Sequence, residues 1–74
     1  MKMKAIKGVG GKDITEYPSI GIYPPCGLVV LFVSDRTGLI VGSNSDAYVQ
    51  GAFLSNFVMA NFELFNGTIE LSND

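Results

Sequence analysis

The chain contains no histidine, no tryptophan and one cysteine, Cys26. A single thiol cannot cross-link a monomer. Without histidine or a cysteine cluster, no zinc set can be assembled. A Ser-His-Asp triad is excluded for the same reason, and no lysine follows a serine at Ser-x-x-Lys spacing. Cys26 follows Pro24-Pro25 and has no imidazole to activate it, so it reads as a buried or turn thiol rather than a nucleophile. Long apolar runs are missing too. The longest, Leu28 to Val33, is too short to cross a bilayer, and no signal-type segment follows the charged Met1-Lys2-Met3-Lys4 start. A thiol without a partner points to the cytoplasm. Only 16% of residues are charged, against 47% hydrophobic, which excludes a disordered chain.

Positive charge is scarce after the first twelve residues. Lys2, Lys4, Lys7 and Lys12 are four of the five cations, and beyond them only Arg36 faces seven acids. A net charge of −2 argues against an ordinary nucleic-acid binder, which would spread Lys and Arg over its surface. The alternating Lys2 and Lys4, with Lys7, read as the solvent side of a protected edge strand. The sharper alternative gathers them with Arg36 around an anion, or brings several copies of the strip together in an oligomer.

What is present is a small β protein. The 74 residues allow one domain, 1–74. The alternation of Lys2 to Lys7 predicts an edge strand, followed by a Gly8-Val9-Gly10-Gly11 loop that lacks the spacing of a phosphate loop. Ser19 to Tyr23 predicts a second strand, ended by Pro24-Pro25. The β-branched run Gly27 to Val33 predicts a central strand, buried on both sides or with one face in the core and the other in an interface. Ser34 to Gly38 predicts a hairpin with Gly38 in a left-handed or bulge position, leading into Leu39–Val41. Tyr48-Val49-Gln50 is expected as a further strand, and Ser55 to Ala60 as a helical turn. Asn66-Gly67, between two alternating runs, predicts a two-residue hairpin. Its register would set Phe65 opposite Thr68, Leu64 opposite Ile69, Glu63 opposite Glu70 and Phe62 opposite Leu71. The facing glutamates then either meet water or take a cation, for which the N-terminal lysines are candidates. The expected fold is all-β: a small antiparallel barrel of Src-homology-3-like type, with five or six short strands and one short helical turn.

The residues support binding better than catalysis. The Asn44-Ser45-Asp46 loop has too few carboxylates for calcium, and an open Glu63/Glu70 face gives no desolvated acid–base pair. No metal and no cofactor is expected. Tyr17, Tyr23 and Tyr48 lie in or beside loops, where a ring either packs or stacks on a ligand. Arg36 at a hairpin tip offers a planar fork for phosphate or carboxylate. Asn56 and Asn61 are placed to cap the helical turn or touch a partner. The candidate ligand-binding set is Arg36, Tyr48, Tyr17, Lys7 and Asn56. Small domains without disulfide or metal commonly rely on self-association, which predicts a homo-oligomer built on the Leu28–Val33 strand or the Phe53–Phe57 surface.

The elements Tyr17-Pro18, Gly27-Leu28-Val29-Val30-Leu31-Phe32, Thr37-Gly38, Tyr48-Val49-Gln50-Gly51, Ser55-Asn56-Phe57 and Phe62 through Asn73 resemble small proteins of tailed bacteriophages. The resemblance spans residues 17 to 73, and Trp commonly stands there where this chain has Phe57. It implies a non-enzymatic accessory protein acting in the host cytoplasm, in counter-defence or host takeover. Such a protein would sequester a small anionic, nucleotide-type signal or inhibit a host protein. A virion or head–tail accessory role is the alternative. Single-stranded nucleic-acid binding is a weaker one, against which the acidic balance argues.

Overall fold

The computed structural model describes residues 2–9 and 12–73, and for residues 5–9 the backbone alone. Seven strands carry the described chain: β1 Lys2–Val9, β2 Ser19–Tyr23, β3 Leu28–Ser34, β4 Thr37–Gly42, β5 Phe53–Leu54, β6 Glu63–Leu64 and β7 Asn66–Ser72. Two 3-10 turns, Pro24–Cys26 and Met59–Asn61, are the only helical pieces among the described residues. The fold is mainly β. Its strands form a five-stranded antiparallel sheet, ordered β5-β4-β3-β2-β6, and a separate β1–β7 ribbon. The barrel expected from the strand pattern is therefore not closed. A radius of gyration of 11.1 Å matches the roughly 11 Å of one packed domain of this length.

The sheet is built where β-branched and aromatic residues are densest. β3 runs down its middle, with Leu28, Val29, Val30 and Phe32 all buried. Strand alternation sends Leu28, Val30 and Phe32 to one face, where they meet Ile40, Phe57 and Phe62. Three rings close this core edge to face: Phe32–Phe57 at 5.3 Å, Phe32–Phe62 at 4.9 Å and Phe57–Phe62 at 5.6 Å between centroids. Each such pair adds about 0.5–1.5 kcal/mol beyond the area it buries. Cross-strand register places Ile20, Leu31, Leu39 and Phe53 in one row on the other face. At the far end of that face Val29 and Val41 are buried, and the Met3 side chain of β1 sits against Gly42, which has no Cβ to obstruct it.

The first four strands follow the expected order, with β2 bounded as predicted and halted by the Pro24–Cys26 turn. Gly27 then reverses the chain at φ 60, a conformation glycine adopts without steric cost. In the β3–β4 hairpin the left-handed residue is Arg36, at φ 62, and not Gly38. Gly38 instead faces the bulge that Val33 introduces. A Cβ there would lie 2.7 Å from the Leu31 carbonyl oxygen and from Val30 Cγ1.

Three expectations fail, two of them because tertiary burial outweighs local turn and helix preference. Residues 48–50 form no strand. Ser43 and Ser45 hydroxyls fold their own loop, accepting from the backbone N–H of Ser45 and Ala47, and the Gln50 side chain donates to the Val41 carbonyl at 2.8 Å. Residues 55–58 are not helical, because the Phe57 N–H donates to the Arg36 carbonyl at 3.1 Å and its ring enters the core. The helical turn appears later, at Met59–Asn61, with Val58 preceding it and no side-chain cap. Ser55, Asn56 and Asn61 therefore do not act as its N-terminal cap.

The Asn66-Gly67 hairpin does not form. β6 pairs with β2, the Phe65 N–H donates to the Ile20 carbonyl at 2.8 Å, and Phe62 and Phe65 are buried. Asn66 and Gly67 lie inside β7, and positive φ among described glycines is confined to Gly27 and Gly51. Burying a Phe side chain is worth about 1.5–3 kcal/mol, more than a favourable turn dipeptide supplies. The two glutamates consequently never face each other. Glu63 lies opposite Ile22, while Glu70 lies opposite Lys4.

Candidate functional site

One end of the sheet gathers most of the candidate residues. The β3–β4 tip brings Asp35 and Arg36 over the extended segment 55–58, which the Arg36 carbonyl holds in place. Two hollows open there. The larger, of about 520 Å³, runs between Asp35 and Arg36 on one side and Ser55 to Ala60 on the other. The smaller, of about 240 Å³, is lined by Tyr23, Tyr48, Leu54 and Asn61 over a floor of Leu28 and Phe62. Asn56, Phe57 and Val58 belong to both, so they form a shared wall.

Arg36 and Asn56 thus meet in one hollow, and Asn56 and Tyr48 in the other. Tyr48 keeps 37% of its surface exposed, enough for a ring face to receive a planar group. The Arg36 side chain is 71% exposed, and its Nε lies 4.0 Å from Asp35 Oδ2. An exposed pair at that separation contributes about 0–1 kcal/mol. It does little to hold the guanidinium against a competing anion that can bind it bidentately.

Tyr17 lines neither hollow. Its ring packs against the core cluster. Burial, followed by the charge and hydrogen bond of Asp35, raises its ionisation above the ordinary 10.0. The Lys7 side chain lies outside the described residues, and its backbone belongs to the β1–β7 ribbon.

Sequence reasoning did not select Asp35, Ser55 or Val58 as site residues. Asp35 was visible as the neighbour of Arg36, whereas Val58 emerges only because residues 55–58 are extended and point it outward, 60% exposed. Among the described residues no group of three or more His, Cys, Asp or Glu side chains could hold a metal ion. Cys26 sits half-buried in its 3-10 turn. No helix among the described residues is long and apolar enough to cross a membrane. No family model, curated protein or solved structure matches the chain.

Proposed function

We propose that this chain is a non-enzymatic binding protein that sequesters a small anionic ligand of nucleotide type. The observation that carries the reading is the shared wall. Asn56 separates a hollow that ends at the chain's only arginine from one that contains Tyr48 and Tyr23. A ligand with a phosphate at one end and a planar ring at the other, laid across the Asn56 wall, would reach both hollows. The guanidinium would take phosphate oxygens through paired N–H donors, Tyr48 would stack on the ring, and the Asn56 amide would donate and accept between them. The phage resemblance adds the setting, counter-defence or host takeover in the host cytoplasm.

The test is a thermal-shift screen of the full chain against cyclic and linear nucleotides, with the matching nucleosides as phosphate-free controls. A ligand that binds only the folded state stabilises it by about 2.7 kcal/mol at one hundred times its dissociation constant. The expected result is a shift with nucleotides that Arg36→Ala abolishes. The variant's own stability should stay within about 0.5 kcal/mol of wild type, as for most exposed substitutions. A nucleotide shift that survives Arg36→Ala would overturn the reading. Inhibition of a host protein is the second reading, and the exposed Val58 on the shared wall is what favours it.

A further inference from the structure

We infer that the β5 edge is the contact surface for a second copy of this chain, joined about a two-fold axis that sets β5 antiparallel to its counterpart. Residues 47–62 contain no Asp, Glu, Lys, Arg or Pro. Four of the six large apolar side chains exposed among the described residues lie in this segment: Tyr48, Val49, Phe53 and Val58. Edge strands that must stay unpaired usually carry charge or proline, as Lys2 and Lys4 do on β1. β5 ends the five-stranded sheet and carries neither. At the opposite end β6 is already covered, because the Leu64 N–H donates to the Lys12 carbonyl at 2.7 Å.

The lack of charge identifies the occupant. At a two-fold interface every residue near the axis faces its own copy, so any charge there meets a like charge. A charge-free edge avoids that penalty, and β5, Phe53–Leu54, lies within a segment, 47–62, that carries no charged residue. A foreign partner imposes no such restriction. The apolar row Ile20–Leu31–Leu39–Phe53 runs up to this edge and stops at Phe53, which is 59% exposed. Pairing β5 with its counterpart would continue the row across the axis into the second sheet. It would also supply the additional apolar burial that a domain of this size, with one cysteine, obtains from no disulfide. This inference does not depend on the ligand reading.

Sedimentation equilibrium and size-exclusion chromatography with light scattering, on the full chain without nucleotide, test it. Wild type should have twice the 7.9 kDa chain mass at high micromolar concentration. Phe53→Lys brings two ammonium groups together at the axis and should raise the dimer dissociation constant at least tenfold, with an unchanged far-ultraviolet spectrum. Leu71→Lys, at an exposed apolar position on the ribbon, and Arg36→Ala should both stay dimeric. A wild-type monomer at several hundred micromolar, a dimeric Phe53→Lys protein, or dissociation by Leu71→Lys would each overturn the assignment. Loss of nucleotide binding with the dimer intact would sink only the ligand reading.

Discussion

The five-stranded sheet and the β1–β7 ribbon are both antiparallel, yet they hold together differently. In the sheet, β3 is flanked on both sides and its Phe32 interlocks with two further phenylalanines, Phe57 and Phe62. In β7 every side chain except the half-buried Ile69 is exposed, and Lys4 opposite Glu70 is a surface pair. A lone two-stranded ribbon is at best marginal in water. This one is anchored by Met3 lying over Gly42, so its stability derives from the sheet. Burial on a packed face fixes register, whereas alternation with an exposed face leaves the partner strand open.

The comparison yields an ordered set of expectations. Phe32→Ala removes the ring common to two edge-to-face pairs from a fully buried site. It should cost about 3–5 kcal/mol, and urea denaturation should find the variant largely unfolded. A loss below about 1 kcal/mol would mean that the sheet core is not where the stability lies. Gly38→Ala puts a methyl against the Leu31 carbonyl oxygen, a backbone atom that cannot swing away. About 1–3 kcal/mol should be lost, read as a lower urea midpoint with an unchanged slope. Gly67→Val separates the two regions most sharply. Were Asn66-Gly67 a tight turn, valine would resist positive φ and destabilise the chain. Within the extended β7 it should change stability by less than about 0.5 kcal/mol or raise it, because valine suits strands and glycine carries an entropic cost there. A fall of 1 kcal/mol or more in thermal denaturation would restore the hairpin.

What could be read from the residues follows the same division. β2, β3 and β4 were legible because their apolar runs are dense and bounded by Pro24-Pro25 and the Ser34–Thr37 turn, so local and long-range preferences agree. Residues 47–72 were not, because there the two disagree. The spacing of Phe53, Leu54, Phe57 and Val58 fits a helix face, but the structure buries Phe57 and exposes Phe53 and Val58. Only the partners β2 and β3, distant in sequence, decide which rings go inside. Arg36, Tyr48 and Asn56 were legible as polar or aromatic groups in loops. Their juxtaposition was not, since it depends on Phe57 docking beneath the hairpin tip.

The left-handed backbone of Arg36 sets folding and charge against each other at one position. An L-residue with a Cβ pays about 1–2 kcal/mol for that conformation, which Gly avoids and Asn tolerates well. A search for more thermostable variants would therefore select Gly or Asn at position 36, keep the carbonyl that holds Phe57, and delete the only guanidinium in the chain. Selection for stability and selection for anion binding would drive this residue in opposite directions. A library screened under both pressures would show the conflict there first.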